Sequence, residues 1–147
     1  MQFLSIAPPV RINVGVTWIV AQVLSVEALL LLKPDFSRLA ALEQELGVTG
    51  TSIYATYPCG NTPTVEVRSF LPSKGVNEDP VCGSGNAAVA AHRFAAGRAT
   101  GASRQYLASQ GQCVGRAGRI FVEEDARGRI CIGGECKTCV EGYLQLS

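Results

Sequence analysis

The stretch Glu78-Asp79-Pro80-Val81-Cys82-Gly83-Ser84-Gly85-Asn86-Ala87-Ala88 decides the fold of this 147-residue sequence. Two acidic residues and a proline precede a glycine-rich turn, and an alanine-rich run then continues to Ala96 and Gly97. Proline restricts the backbone before the turn, glycine permits close approach of other groups, and alanine favours helix. The stretch therefore predicts a short, small-sided helix that begins near Ser84 and ends at Gly97.

Segments on both sides of this junction have the composition and alternation of β-strands. The predicted strands cover residues 10–16, 18–24, 51–57, 65–70, 106–110, 119–122, 128–132 and 137–144. Residues 125–128 are typical of a hairpin turn. Small side chains on the central helix permit a sheet to wrap closely around it. The pattern predicts an α+β fold, a single domain over residues 1–147 in which short antiparallel strands surround one helix.

Two further segments needed an interpretation. Residues 38–46 repeat leucine at helical spacing, so we expect a helix capped by Ser37 and ended by Gly47, and a loop over residues 73–80. Residues 12–32 are apolar, but polar side chains interrupt them and Lys33-Pro34 closes them. A buried strand followed by a helical or loop segment fits this pattern better than a membrane-spanning helix does.

The junction combines several groups that proton-transfer chemistry needs. The first amides of a helix have no partner within it and attract anions, so we expect a carboxylate or phosphate at Gly83 and Ser84. Cys82 lies at the same positive helix end, which predicts a lowered pKa for its thiol. Asp79 adds a carboxylate a few residues away. A glycine-rich turn that only caps a helix, with a cysteine that only packs, is the plain alternative.

Net charge and cysteine content limit the kinds of partner, metal site and cellular location that the sequence supports. The formal net charge is +1, so there is no electrostatic case for nucleic acid or for an anionic membrane. We find six cysteines and no secretory signal, which together favour reduced thiols in a cytoplasmic protein. The pair Cys136-x-x-Cys139 has no second pair and no nearby histidine, so we expect no metal site. His92 is expected to pack at the helix end, and Arg68 either reaches a substrate carboxylate or is solvated.

The junction resembles the second lobe of the PhzF-like (phenazine-biosynthesis-like) family of the diaminopimelate epimerase superfamily. That lobe carries an R-x-F-x-P phrase, here Arg68, Phe70 and Pro72, followed by a G-x-x-E-D-P-x-[TC]-G-S-[AG] phrase, here residues 75–85. Residues 14–20, 110–111, 115–118 and 132–134 resemble other segments of the same lobe, in the same order. The resemblance thus covers nearly the whole chain.

The resemblance implies an antiparallel sheet or barrel around a central helix, repeated in two lobes with the active site between them. It also implies isomerisation without a cofactor, by proton transfer at a carbon next to a carboxylate. Asp79 matches a substrate-contacting acid, and Cys82 stands where epimerases have a catalytic thiol and many PhzF-like enzymes have threonine. These two are the expected catalytic residues. The expected substrate-binding residues at the helix start are Gly83, Ser84, Gly85 and Asn86.

Length separates this chain from the resembled family. Full members are about twice as long, and their first lobe supplies a glutamate that moves the proton. We therefore expect a solitary second lobe that acts as a homodimer or together with a separate N-terminal lobe, on a small anionic substrate. The alternative is a catalytically incomplete binding module or the relic of a truncated gene.

Overall fold

A computed structural model describes residues 8–97 and 104–145 of the chain. Within these ranges one sheet of eight strands carries three α-helices and two short 3-10 helices, Pro72–Lys74 and Gln112–Val114. The strands are β1 Val10–Asn13, β2 Thr17–Gln22, β3 Gly50–Thr56, β4 Val65–Leu71, β5 Val76–Asp79, β6 Gln105–Gln110, β7 Gly118–Glu124 and β8 Ile130–Gly133. The helices are α1 Val26–Leu30, α2 Phe36–Leu46 and α3 Gly83–Ala95.

The sheet has the strand order β1-β2-β3-β4-β6-β7-β8 and forms a half-barrel around α3, which contacts strands at both ends of this order. The α+β class and the central helix are therefore confirmed. The sheet is mixed, because β2 with β3 and β4 with β6 are parallel while the other pairs are antiparallel. Parallel neighbours need a crossover, which α1 and α2 supply in the first case and β5 and α3 in the second.

On the side of β4 that faces away from β3, the two halves of the strand pair with different strands. Its first half pairs with β6, up to Val67 opposite Gln110, and its second half pairs with β5, where Ser69 lies opposite Asp79. The sheet therefore forks at this point, and the end of β5 comes close to the end of β6. This fork carries the junction between Asp79 and α3.

Two apolar clusters lie on opposite faces of the sheet. On the concave face, Trp18, Tyr54 and Val67 are fully buried against the small side of α3, including Ala88 and Val89. Small residues on this helix let the sheet approach it closely, as the sequence predicted. The cluster on the convex face is formed by Ala21, Val23, Leu29, Ile53, Ala55 and Phe70.

Local capping signals explain where α2 begins and ends. The Asp35 carboxylate accepts a hydrogen bond from the Arg38 amide at 3.0 Å, so Asp35 is the N-cap. The expected cap, Ser37, lies inside the first turn instead, because the helix starts two residues earlier than its apolar pattern indicated. Gly47 ends the helix with φ +61°, as expected.

Two predictions of secondary structure are wrong. Residues 73–80 are not a loop, because Gly75 reverses the chain with φ +82° and β5 then pairs with β4. Residues 137–144 form no strand. They follow β8 at the edge of the sheet, and their side chains, such as Val140 and Tyr143, are exposed because no other described element packs against them. The hairpin turn at residues 125–128 is confirmed, since the Gly128 amide bonds to the Asp125 carbonyl at 2.9 Å.

No helix in the described part of the chain is long and apolar enough to cross a bilayer. Residues 12–32, the apolar stretch that was compared with a membrane span, contain the end of β1, all of β2 and all of α1.

Candidate active site

Asp79 is fixed at the last position of β5. It pairs with Ser69 across the strands, and its Oδ1 accepts a hydrogen bond from the Val81 amide at 2.9 Å. The carboxylate is therefore held by a strand end and by a turn that leads directly into α3. Asp79 itself is half-buried, while the neighbouring Val81 is 50% exposed.

Cys82 is the N-cap of α3. Its Sγ accepts a hydrogen bond from the Gly85 amide at 3.4 Å and lies 3.8 Å from the Ser84 Oγ. Only 5% of the residue is exposed, because it joins the apolar cluster under the helix. The thiol is thus adjacent to the predicted acid and hydroxyl but faces mainly inward.

The expectation of a lowered pKa for Cys82 is wrong. Burial raises the pKa of the Cys82 thiol above its ordinary value, and the nearby Asp79 carboxylate raises it further through its charge and a hydrogen bond. Hydrogen bonds from the Gly85 amide and from Ser84 act in the opposite direction, and they are outweighed. The thiol therefore stays protonated at neutral pH, and it can donate a proton but is not a resting thiolate.

The amides of Gly83 and Ser84 are available to a ligand. Neither has a hydrogen-bond acceptor among the described residues, whereas the next amide, that of Gly85, is used by Cys82. Gly83 is exposed and Ser84 is partly exposed. With the partial positive charge of a 13-residue helix behind them, these two amides suit a carboxylate or a developing enolate oxygen.

Gly85 and Asn86, the other two residues expected to bind substrate, lie on the inner side of the helix start. A Cβ atom at Gly85 would lie 2.7 Å from the Oγ of Ser52 and 2.7 Å from the Oγ of Ser69. Asn86 is fully buried, and its side-chain amide donates to the Cys82 carbonyl at 2.9 Å. Both residues position the loop because they pack beneath it.

Gln110 is a positioning residue that the sequence analysis missed. Its Oε1 accepts from the side-chain amide of Asn86 at 2.7 Å and from the backbone amide of Cys82 at 3.3 Å. Its Nε2 donates to the Asp79 carbonyl at 2.6 Å. One side chain at the fork of the sheet thus joins the strand end to the start of α3. The only sequence signal was its position before Gly111, which carried the family resemblance but no role.

Two glycines let the loop settle at the fork. A Cβ atom at Gly111, where φ is +92°, would lie 2.7 Å from the Pro80 carbonyl oxygen. One at Gly118 would lie 2.6 Å from a methyl group of Val81. The close approach therefore depends on glycine at both positions.

Arg68 is neither solvated nor free for substrate, so both interpretations drawn from the sequence are wrong. Its guanidinium forms a bidentate pair with Glu78, at 2.9 and 2.7 Å, and both side chains are buried. It also donates to the carbonyls of Leu29 and Leu32, at 3.0 and 2.7 Å. Arg68 therefore ties β4 to β5 and to the end of α1, and Glu78 is not available as a second acid at the site.

The remaining candidates lie away from the junction. The imidazole Nδ1 of His92 is 3.0 Å from the Tyr54 hydroxyl, which fits packing near the helix end. Cys131, Cys136 and Cys139 are exposed free thiols. Residues 8–97 and 104–145 contain no group of three or more potential metal ligands.

Comparison with known proteins agrees with this architecture. The model of the family described as phenazine biosynthesis-like protein matches residues 2–142. The chain belongs to this family. Its fold is shared with the solved phenazine biosynthesis protein of the PhzF family from Bacillus anthracis, at a TM-score of 0.68 and 18% identity over 85% of this chain and 44% of that one.

Two relatives from Schizosaccharomyces pombe are similar to this chain at higher identity. Antisense-enhancing sequence 1 is 31% identical over 93% of this chain and 46% of its own length. An uncharacterized isomerase is 32% identical over 94% of this chain and 77% of its own length. The chain thus spans about half of the first relative and about three quarters of the second.

Proposed function

We propose that this chain supplies one half of a cofactor-independent isomerase site that moves a proton at a carbon next to a carboxylate. The observation that carries the proposal is the arrangement at the fork of the sheet. A carboxylate, Asp79, lies beside a helix start whose two exposed amides, at Gly83 and Ser84, have no acceptor among the described residues.

Each group has a role in this proposal. The amides bind the substrate carboxylate and stabilise the negative charge that develops when the neighbouring carbon loses its proton. Asp79 exchanges the proton with that carbon, because a positioned carboxylate is an effective general base. Cys82, protonated through its raised pKa, returns a proton to the substrate, and the thiolate left behind regains a proton from the protonated Asp79 beside it.

The exposure of this arrangement supports the proposal that a second half completes the site. Gly83 is exposed and Val81 is half exposed beside the acid, so the described residues form one wall and not an enclosed pocket. We propose that a second copy of the chain, or a separate N-terminal lobe, covers this wall and excludes water. The first relative extends well beyond the region that matches this chain, which supports a second lobe as the covering element. A cytoplasmic location, with free cysteines throughout, belongs to the same proposal.

A second candidate function is a small-molecule-binding module that has no turnover. It is favoured by the burial of Cys82 and by the pairing of Glu78 with Arg68, which together leave Asp79 as the one acid–base side chain of residues 78–86 on the open side. A single carboxylate next to an anion site can bind a ligand without turning it over.

Proton exchange separates the two functions. Small carboxylic acids with an α-hydrogen are incubated with the protein in deuterated water, and loss of the α-proton signal is followed by NMR. The isomerase proposal requires exchange that falls at least about 100-fold in Asp79→Asn and also falls in Cys82→Ser. Glu123→Gln, on the exposed face of β7, is the matched control and keeps the wild-type rate.

Failure of the exchange assay has a defined meaning. If exchange is undetectable although the acids bind, the binding module is the correct function. If exchange survives in the double variant of Asp79→Asn with Cys82→Ser, neither side chain moves the proton. The molecular mass in solution gives the oligomeric state. A dimer supports a site shared between two copies, and a strict monomer requires a separate lobe.

A further inference from the structure

We propose that the chain has a second small-molecule site, on the convex face of the sheet, for a small zwitterion that carries an ammonium and a carboxylate group. The site is a cavity of about 170 Å³ between β4, β6 and the segment that precedes β7. Glu66 forms its floor. Because Val65 and Val67 face α3, the side chain between them points to the opposite side of the sheet from α3. Gln110, which holds the loop of the candidate active site, lines one edge of the cavity.

The floor of the cavity has an unsatisfied carboxylate oxygen. Glu66 is 1% exposed, and its Oε2 accepts hydrogen bonds from the hydroxyls of Tyr57, at 2.9 Å, and Ser109. Its Oε1 has no partner among the described residues. A buried carboxylate oxygen without a donor is costly, and an ammonium group placed in the cavity supplies both the donor and the opposite charge.

The rim of the cavity carries positive charge that has no carboxylate partner among the described residues. Arg116 and Arg119 line it, and among the described residues each guanidinium bonds only to a neighbouring backbone carbonyl, at 3.3 Å from Gly115 and 2.8 Å from Gly118. Neither forms a salt bridge within the part of the chain that the structure describes. Arginine favours a carboxylate, so the rim suits the anionic end of a ligand whose cationic end reaches Glu66.

The size of the cavity limits the ligand. At about 30 Å³ for each water molecule, 170 Å³ corresponds to roughly six waters, so one water does not fill it. A ligand of about five to ten non-hydrogen atoms fits, which is the size of a small α-amino acid. Both charges of such a molecule are then neutralised by side chains that have no oppositely charged partner among the described residues.

Titration calorimetry on the full chain with glycine, methylamine and acetate tests this site. We expect the cavity to bind one equivalent of glycine with a dissociation constant of roughly millimolar, and to bind each one-charge probe at least about tenfold more weakly. Binding of carboxylates at the Gly83 and Ser84 amides is a separate event, and it is measured by the heat that remains in Arg119→Gln. Arg119→Gln and Glu66→Gln weaken glycine binding about tenfold or more. Arg127→Gln, the same charge change at an exposed arginine outside the cavity, leaves it unchanged.

The control variants keep this inference separate from the proposed function. Asp79→Asn leaves glycine binding unchanged if the two sites are distinct, and loss of binding in that variant overturns the inference. Absence of glycine binding overturns it as well, as does equal binding of methylamine, which would indicate a simple cation site. Because Arg119 is exposed, Arg119→Gln remains informative even if Glu66→Gln does not fold.

Discussion

Replacing Gly85 by alanine tests the packing that brings the helix start to the fork of the sheet. The new Cβ atom would lie 2.7 Å from the Oγ atoms of Ser52 and Ser69 and 3.1 Å from the Sγ of Cys82. These are short, buried side chains with little freedom to move away. At Gly83, in the same helical turn, the nearest atom to a new Cβ is 4.0 Å away, on Ile132.

The magnitude follows from the difference between these two sites. Both substitutions gain helix propensity of up to about 1 kcal/mol. Only Gly85→Ala adds the cost of overpacking, about 1–3 kcal/mol. We therefore expect Gly85→Ala to be less stable than Gly83→Ala by about 1–3 kcal/mol. For a chain of this size the gap corresponds to roughly 2–12 °C in Tm.

Urea and thermal unfolding of the two variants, each in two backgrounds, provide the assay. The second background carries Ser52→Ala with Ser69→Ala, which removes both hydroxyls that meet the new methyl group. The two hydroxyls are 2.9 Å apart and bond to each other, so removing both leaves neither without its partner. In that background the gap should fall below about 1 kcal/mol. Equal stability of Gly83→Ala and Gly85→Ala in the wild-type background, or a gap that persists without the hydroxyls, would refute the packing model.

Three further perturbations have defined outcomes. Because the folded-state pKa of Cys82 is raised, the stability from its buried thiol is complete below about pH 8.5 and is lost as pH rises through the folded-state value. Wild type should thus lose more Tm between pH 7 and pH 10 than Cys82→Ser does, and an equal loss would contradict the pKa shift. Gln110→Leu leaves the buried backbone amide of Cys82 and one N–H of the Asn86 side chain without an acceptor, so urea denaturation should show a loss of about 2–6 kcal/mol, and an unchanged midpoint would exclude this role. Arg68→Met leaves Glu78 buried and unpaired, which costs about 3–5 kcal/mol by the same assay, and adding Glu78→Gln should recover part of it; no recovery would mean that the pair is not the cause.

Local signals made much of the fold predictable from the sequence. Gly47 ends α2 and the 125–128 turn joins β7 to β8, because each depends on a few adjacent residues. The alanine-rich run predicted α3 and its close packing within the sheet. At the junction, the acid and the helix start were predicted, with Asp79 directly before the turn that leads into α3, whereas the strand that ends at Asp79 was not.

Features that depend on distant partners were not predictable. β5 forms because the second half of β4 offers it a partner, and no local pattern in residues 73–80 indicates that pairing. Gln110 reaches Cys82 across 28 positions of sequence, and only the fork of the sheet brings them together. Burial reversed the expected pKa shift of Cys82, because a helix end favours a thiolate only where the sulfur is not desolvated. Residues 137–144 have strand-like composition but no neighbouring strand.

The most direct measurement of the central claim follows the backbone amides of the helix start by NMR while propionate is added. We predict saturable shifts of the Gly83 and Ser84 amide signals, with little change at the Gly85 amide, which already bonds to sulfur. Propionamide, which has the same shape and no charge, should leave all three signals unchanged. If propionate leaves Gly83 and Ser84 unmoved in the folded protein, or moves them no more than propionamide does, the helix start is not an anion site and the proposed isomerase half is wrong.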